Sequence, residues 1–311
     1  MLKAKEKKKK KGGFRSSNFQ IYTLMTVPLL WLFIFSYLPM FGVIISFKNY
    51  RYDLGILKSP WVGLENFKFL VLSNDFLKIV RNTVCMNLLF IAIGTVAALF
   101  AAICFFSLKN RTGVKVYQTV ITTPNFVSWV VAGYITYALF QPGTGMLNNI
   151  FKEFGMKEID WYNTPSVWPA ILCVANVWKN VGMDCIIYYA ALMGVDDSLL
   201  EAAELDGAGR FKKVWHVMIP TIIPVIVIKI ILAVGGILNA DFGLFYQLTR
   251  DSGSLYEVTD VLSTYIYRTM RVIGDMGLSS AAGLLTSFVG MILVIVVNYA
   301  AKKIDGVGGL F

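Results

Sequence analysis

Long runs without a charged residue dominate the pattern of polar and apolar positions along this 311-residue chain. Four such runs are Ser16–Phe47, Asn82–Leu108, Val116–Phe151 and Met276–Ala301. A helix that crosses a bilayer needs about 20 mostly apolar residues, so each run is long enough to span one. The pattern therefore predicts membrane-crossing helices rather than the amphipathic helices of a soluble core.

Two further apolar stretches carry isolated charges. Val167–Leu192 contains Lys179 and Asp184, and Val217–Asn239 contains Lys229. With these two stretches the sequence predicts six transmembrane helices, near residues 24–47, 83–106, 117–140, 168–192, 217–239 and 278–301.

Composition supports a membrane protein and excludes several other classes. Hydrophobic residues make up 56% of the chain and charged residues 15%, against about 45–50% and 25% in soluble domains. This balance excludes a disordered, collagen-like or disulfide-stapled protein, and also a nucleic-acid-binding module. The predicted fold class is all-α integral membrane, with a basic tail over residues 1–20 and one transmembrane domain over residues 21–311.

Basic residues predict the orientation of the helices. The net charge is +10, and seven of the 29 Lys and Arg residues lie between Lys3 and Lys11. Other basic residues follow the second, fourth and sixth spans: Lys109, Arg111, Lys115, Arg210, Lys212, Lys213, Lys302 and Lys303. Short cytoplasmic connections are enriched in Lys and Arg, so both termini and residues 193–216 are expected in the cytoplasm. The tail is also expected to contact anionic lipid headgroups.

Residues that would support enzymatic or metal chemistry are scarce. A single histidine, His216, cannot build a metal site alone, and the four cysteines lie inside predicted spans without a CxxC spacing. The GxxxxGK[ST] phosphate loop and the common dinucleotide, nucleophile and zinc motifs are missing from the sequence. The chain is therefore expected to be no enzyme and to hold no cofactor itself.

The connection between the fourth and fifth spans, residues 193–216, has a readable local structure. Ser198 followed three residues later by Glu201 matches a capping box, which predicts a helix start. Gly207 is expected to end this helix. A second short helical segment is predicted before Pro220, where the next span begins.

This segment resembles the EAA motif of ABC-importer permeases, whose pattern is EAA-x3-G-x9-I-x-L-P. The identical positions are Glu201, Ala202, Ala203, Gly207 and Pro220. Val217 and Ile219 are conservative departures at the two apolar positions. With residue usages of roughly 5–9% each, chance produces these identities about once per million starting positions. The resemblance is therefore specific.

The likeness to carbohydrate permeases extends to other segments, in order along the chain. They are Gly63–Phe67, Arg81–Thr83, Pro124, Gly143–Asn148, Trp178–Gly182 and Leu262–Arg268. Most sugar permeases have a Gly-rich segment after the fifth span, whereas this sequence has Leu248–Gly253. Together with Gly235–Ala240, this departure resembles the LplB-type branch associated with oligo- and polysaccharides.

The resemblance implies a type I importer with several partners. These are a second permease subunit (a paralogue in this branch), two ATP-binding-cassette ATPases that bind ATP and magnesium, and an extracellular solute-binding lipoprotein. The EAA loop would be the coupling helix that docks on an ATPase, and Glu201 and Asp206 are candidates for polar contacts there. The host membrane would be the cell membrane of a bacterium. The alternative for this loop is a structural hairpin that only holds the fourth and fifth spans.

Polar residues of the fourth and fifth spans are candidates for the translocation path. Asn176, Asn180, Asp184 and Tyr188 follow at i+4 steps and share one helix face, with Lys179 beside them. Asn239 and Asp241 lie where the fifth span reaches the outside. This stripe either lines a path for a hydroxyl-rich solute or forms hydrogen bonds between helices, which contribute about 0.6 kcal/mol each.

Charges inside the spans need partners. An ionisable group near the bilayer centre costs at least about 2.5–3.5 kcal/mol, so it should face protein or water. Lys229 stands alone in the fifth span and is expected to pair with a carboxylate on another span or on a partner subunit.

Two other functional classes fit a chain with many spans. A secondary transporter or channel works without ATPases, but the inverted repeat or paired carboxylates that would favour it are not found. A membrane enzyme needs a catalytic constellation, which is missing as well. The leading prediction is the permease subunit of an ABC importer for oligosaccharides or polysaccharide fragments. The alternative is an ATP-independent transporter or channel for a polar solute.

Overall fold

The computed structural model describes residues 14–108 and 110–302 and folds them almost entirely into helices. Residues 1–13 of the predicted basic tail, Lys109 and Lys303 lie outside the described residues. The α-helices are α1 Phe14–Leu32, α2 Leu38–Met40, α3 Gly55–Lys58, α4 Glu65–Leu72, α5 Asn74–Ser107, α6 Arg111–Thr122, α7 Trp129–Phe140, α8 Met146–Glu153, α9 Trp168–Leu192, α10 Asp197–Leu205, α11 Arg210–Lys213, α12 Ile219–Gly235, α13 Phe242–Thr249, α14 Tyr256–Thr259, α15 Leu262–Arg268 and α16 Met276–Lys302.

Short segments of other geometry connect these helices. The 3-10 segments are Phe41–Phe47, Thr123–Phe126, Trp161–Asn163, Pro165–Val167 and Gly253–Leu255. The π-helical turns are Phe33–Tyr37, Val214–Met218 and Thr269–Ile273. Extended pairing within the described residues is limited to one antiparallel bridge between Lys48 and Trp61.

Five helical stretches in the described part of the chain are long and apolar enough to cross a membrane. They are Ile21–Phe47, Asp75–Ser107, Pro165–Leu192, Arg210–Gly235 and Met276–Ala300. A shorter apolar helix, α7, accompanies them. These stretches coincide with five of the six predicted spans, and the third predicted span is the one that differs.

The predicted third span, near residues 117–140, consists of two helices in the structure. The chain leaves the helix α6 for a 3-10 segment that contains Pro124, and Val127 is extended. Proline lacks the N–H that a continuous helix requires and disfavours helical geometry in the preceding residue. The Ser128 side chain then accepts a hydrogen bond from the Val131 N–H at 3.3 Å and caps a new helix, α7.

The fifth predicted span also stops early. α12 ends at Gly235, four residues before the predicted end. The Asp241 carboxylate then accepts a hydrogen bond from the Leu244 N–H at 3.2 Å and caps α13. Non-helical backbone at membrane depth is tolerated only where protein covers it or a water-filled cavity adjoins it. The two breaks therefore mark the region in which to look for a site.

Buried apolar clusters hold the bundle together at both ends. The end at which α9 stops and α12 begins, called here the coupling end, has a cluster formed by Ala98, Ala102, Phe105, Val114, Cys185, Tyr188, Leu192, Val195, Met218 and Ile222. At the opposite end, called the outer end, Trp168, Leu172, Phe245 and Leu248 belong to a second cluster. α6 and α9 approach closely at Gly182, where an added Cβ would lie 2.3 Å from the Ile121 carbonyl oxygen.

The first span packs least against the rest of the chain. Within its most apolar stretch 6% of the residues are buried, against 17–22% in the other four spans. Trp31, Phe35 and Phe41 are each more than half exposed. Large exposed apolar surfaces of this kind require lipid or another protein around them.

Candidate transport path and coupling loop

A partly open cavity of about 460 Å³ lies between α5, α9 and α12. Five of the predicted path residues line it: Asn176, Asn180, Asp184, Tyr188 and Asn239. The first four of these residues lie on α9, where their i+4 spacing places their side chains on one face of the helix. The walls also carry Asn87 and Thr95 of α5 and Lys229 of α12. The cavity thus presents amides and hydroxyls in a mainly apolar surround.

One ion pair joins two walls of the cavity. The Lys229 ammonium group donates to the Asp184 carboxylate, and it lies 5.5 Å from the centre of the Tyr188 ring. The Lys229 side chain is 24% exposed and the Asp184 side chain is 39% exposed. The predicted pairing of Lys229 with a carboxylate on another span is confirmed. Because the two charges neutralise each other, the cavity offers hydrogen-bonding groups without a net charge from this pair.

Asn87 is a cavity residue that the sequence interpretation missed. Its amide donates to the carbonyl oxygen of Ile237 at 2.7 Å, in the break that follows α12. A lone asparagine inside an apolar span was the available signal, since an amide in a membrane helix needs a partner. The partner lies 150 residues away in sequence, so spacing along the chain could not reveal it.

Lys179 and Asp241, also predicted for the path, lie outside this cavity. The Lys179 ammonium group donates to the backbone carbonyl oxygens of Asn125, at 2.8 Å, and Val127. These carbonyls lie in the break between α6 and α7, so Lys179 supplies donors that the interrupted helix lacks. Asp241 caps α13 and accepts a hydrogen bond from the Trp129 indole N–H at 2.7 Å.

Trp129 connects these two residues and with them the two breaks. The Lys179 ammonium group lies 5.1 Å from the centre of the Trp129 ring, while the indole N–H binds Asp241. α13 packs closely on this ring, since a Cβ on Gly243 would lie 2.3 Å from it. We call Lys179, Trp129 and Asp241 the brace. It holds the helix breaks of spans three and five against α9.

The brace leads to a stability prediction for Lys179. A Lys179→Met variant leaves two part-buried carbonyls of the break without their donor, at up to about 1–3 kcal/mol for each group. We expect a clear drop in the melting temperature of the purified protein, measured in detergent by intrinsic fluorescence. Lys152→Met is the matched control, because Lys152 also donates to a carbonyl oxygen, that of Gly143, but is exposed. Equal melting temperatures of Lys179→Met and the wild type would show that Lys179 does not stabilise the break.

The predicted coupling segment forms a helical turn at the coupling end, with a different cap from the predicted one. The Asp196 side chain accepts a hydrogen bond from the Ser198 N–H at 2.9 Å and starts α10. The prediction that Ser198 and Glu201 form a capping box is therefore wrong. An aspartate two residues earlier provides an equally good cap, and its charge is favoured by the helix dipole. Hydrogen bonds from Ser198 lower the pKa of Asp196 below its ordinary value.

Gly207 ends α10 as predicted, and the structure gives the reason. Its φ is +76°, in the left-handed region that favours glycine. The Gly207 N–H donates to Glu204 O at 3.0 Å and the Ala208 N–H to Ala203 O at 2.9 Å. This pair of hydrogen bonds is the Schellman motif, which satisfies the last carbonyls of a helix.

The surface of this turn is largely exposed. Glu201, Ala202, Asp206, Gly207 and Pro220 of the EAA motif are exposed, and Ala203 is half-buried. Around them lie exposed apolar side chains of Leu199, Leu205, Phe211 and Trp215, at 50%, 89%, 77% and 55%. An ion pair between Lys213 and Glu204, at 2.7 Å, ties the two helical segments together. The turn is an ordered platform with an apolar surface available to another protein.

Comparison with known proteins identifies the family of this chain. A family model described as the binding-protein-dependent transport system inner membrane component matches residues 91–306, which include the segment between α9 and α12 and most of the residues that line the cavity. The chain belongs to this transport family. Its members are permease subunits of ABC importers, so the chain is a transport protein of the membrane rather than an enzyme.

Relatives within this permease family match over nearly the whole chain. Protein LplB of Bacillus subtilis strain 168 is 35% identical over 288 residues, which cover 93% of this chain and 90% of LplB. The polygalacturonan/rhamnogalacturonan transport system permease protein YteP of the same organism is 32% identical, covering 91% and 88%. These matches confirm the predicted resemblance to carbohydrate permeases and to LplB.

A solved structure supports the fold of the permease. One chain of a bacterial ABC transporter involved in the import of the acidic polysaccharide alginate superposes with a TM-score of 0.84 at 28% identity. The match covers 93% of this chain and 97% of that one. The predicted all-α membrane fold of a type I importer permease is confirmed. As the family description states, such permeases depend on a solute-binding protein.

Proposed function

We propose that this chain is the permease subunit of an ATP-driven importer that takes up oligosaccharides or polysaccharide fragments. The observation that carries the proposal is the polar cavity between α5, α9 and α12. Its volume of about 460 Å³ lies within the roughly 300–1,000 Å³ of typical ligand pockets. A partly enclosed site inside a membrane protein, lined by amides, suits a solute rich in hydroxyl groups.

The chemistry of the cavity favours a sugar over an ion or a lipid. Asn87, Asn176 and Asn180 offer both donors and acceptors, which match the dual character of sugar hydroxyls. The paired charges of Asp184 and Lys229 remove a strong preference for a small ion. YteP and the alginate transporter, whose names refer to polysaccharides, support the same solute class.

The coupling turn would dock on a cytoplasmic ATPase. α10 has an exposed face, capped at both ends, with apolar side chains around it, and its connection to α12 is short. Motion of an ATPase pair could pass through such an ordered platform to α9 and α12, which border the cavity. The importer would then alternate between inward-facing and outward-facing states. ATP and magnesium would be bound by the two ATPases.

A second permease, a paralogue of this chain, would complete the path. The cavity is only partly enclosed by this chain, and the first span is mostly exposed. Both features are expected of half an assembly, because a closed path requires walls on all sides. The exposed first span then contacts lipid and the other permease.

Uptake by the purified assembly tests the proposal. The tagged chain is purified from its native membrane, reconstituted in liposomes with the solute-binding protein, and given labelled oligosaccharides. We expect an ATPase to co-purify and uptake to require ATP. Uptake that is indifferent to ATP but abolished by a proton ionophore, with no ATPase bound, would favour the secondary transporter instead.

A further inference from the structure

A second polar pocket, of about 190 Å³, lies at the outer end of the bundle between α7 and α13. Its lining consists of Val130, Gly133, Tyr134, Tyr246, Gln247 and Arg250. We call it the outer pocket. It is separate from the cavity at α5, α9 and α12, with which it shares no lining residue.

Arg250 is held in this pocket by an unusual backbone. Arg250 and Asp251 have φ angles of 55° and 50°, the two positive values among the described non-glycine residues. This conformation is unfavourable for arginine, whereas aspartate adopts it more readily. Strain of this kind persists only where surrounding contacts fix it, and it is concentrated at functional sites.

The contacts that fix the strained pair belong to Asp251. Its carboxylate accepts hydrogen bonds from Arg268, at 3.1 Å, and from the Tyr256 hydroxyl, at 3.0 Å. Burial raises the pKa of the Tyr256 hydroxyl still further above neutral pH. Arg268 also binds Asp260 at 2.6 Å. The Asp251 side chain thus belongs to a partly buried network with Arg268 and Tyr256 that does not include Arg250.

The Arg250 guanidinium group is left without an acidic partner. It lies 4.1 Å from the centre of the Tyr137 ring, and within residues 14–108 and 110–302 it forms no ion pair and no hydrogen bond. The neighbouring carboxylates of Asp251 and Asp260 are both bound to Arg268. Arg250 is exposed, so its donors are available to a ligand that enters the pocket.

The other walls of the pocket suit a sugar ring. Tyr134 is 67% exposed and offers an aromatic face, while Gln247 offers an amide. The ring of Tyr246 is fixed by stacking on Phe242 at 4.9 Å and by an edge contact with Tyr267 at 5.1 Å. A rigid aromatic surface beside an unpaired guanidinium group is a combination that binds a carboxylated ring.

We infer that the outer pocket recognises the carboxylate of an acidic oligosaccharide, with Arg250 as its binding residue. The inference rests on the proposed function and narrows its substrate class to saccharides that contain uronic acids. The planar guanidinium group can bind a carboxylate through two parallel hydrogen bonds, which gives both strength and orientation. The alginate transporter and YteP, which resemble this chain, are named for acidic polysaccharides.

Equilibrium binding with a matched pair of probes tests the inference. The complete assembly in nanodiscs is titrated with a galacturonate trimer and with its fully methyl-esterified form, which keeps the sugar backbone but loses the charges. We expect the wild type to bind the acid at least about tenfold more tightly, because charge-assisted hydrogen bonds contribute about 1.5–3 kcal/mol. Arg250→Gln should weaken binding of the acid about tenfold or more and abolish this preference, with a much smaller loss for the ester, while Arg250→Lys should retain part of the preference.

Arg271→Gln is the control, since Arg271 is an exposed arginine outside the pocket. It should keep the wild-type preference. Equal loss of acid and ester binding in Arg250→Gln, the same loss in Arg271→Gln, or a wild type that does not prefer the acid would overturn the inference. ATP-driven uptake of neutral oligosaccharides alone would overturn it too, yet leave the proposed function intact. The absence of any ATP-dependent oligosaccharide uptake would contradict the proposed function itself.

Discussion

Replacing Gly207 by valine is expected to lower transport about tenfold or more while the chain still reaches the membrane. At φ +76° a β-branched side chain clashes with its own backbone, and the cost of roughly 1–2 kcal/mol corresponds to about one power of ten. The Schellman hydrogen bonds that end α10 would be lost, and with them the shape of the turn that we propose docks on an ATPase. The measurement is ATP-driven uptake at matched amounts of protein.

Gly207→Asn separates backbone geometry from the bulk of the side chain. Asparagine adopts left-handed backbone more readily than other residues, and a Cβ at this position meets no atom within 4 Å. We therefore expect this variant to keep most of the transport. Wild-type uptake by Gly207→Val would contradict the coupling role of the turn, and so would an equal loss in both variants.

Breaking the ion pair in the cavity is expected to have the second large effect. Asp184→Asn and Lys229→Met each leave one charge without its partner in the membrane interior, which is strongly unfavourable. Each single variant should show a lower melting temperature and little transport. The double variant should regain most of the melting temperature, because no unpaired charge remains.

A double-mutant cycle measures this coupling. We expect an interaction free energy of about 1–3 kcal/mol between Asp184 and Lys229. The exposed pair of Lys78 and Asp75, at 3.2 Å, is the control, and such surface pairs contribute about 0–1 kcal/mol. Additive effects of the two cavity substitutions would show that the charges do not depend on each other.

Several features of the molecule could be predicted because they depend on residues close in sequence. Uncharged runs of bilayer length gave the long helices, and i+4 spacing placed Asn176, Asn180, Asp184 and Tyr188 on one wall. Gly207 ended a helix as its position suggested. Each of these properties follows from helix geometry alone.

Other features depend on partners distant in sequence, so patterns along the chain missed them. Lys179 looks like a path residue beside the polar stripe, yet it binds carbonyl oxygens more than 50 residues earlier in the chain. Asp241 binds Trp129 across 112 residues. The break after α6 had a local signal in Pro124 and Ser128, but the hydropathy of the whole run masked it.

The functional interest of Arg250 could be predicted only in part from the sequence. The segment Leu248–Gly253 departs from the Gly-rich pattern of most sugar permeases, and that departure could be seen in the sequence. Its meaning could not, because the strained backbone and the Tyr137 ring appear only in the folded chain. A local departure from a family pattern thus pointed to the position but not to its chemistry.

We propose that solute passes through the cavity between α5, α9 and α12. A thiol block at Asn180 tests this passage, in a chain whose four native cysteines are replaced by alanine. Uptake by Asn180→Cys should stop after treatment with a charged, water-soluble thiol reagent, and saturating oligosaccharide should slow the block. Ile187→Cys, on the same helix but outside the cavity, should be unaffected. Full uptake by labelled Asn180→Cys would show that solute does not pass through this cavity.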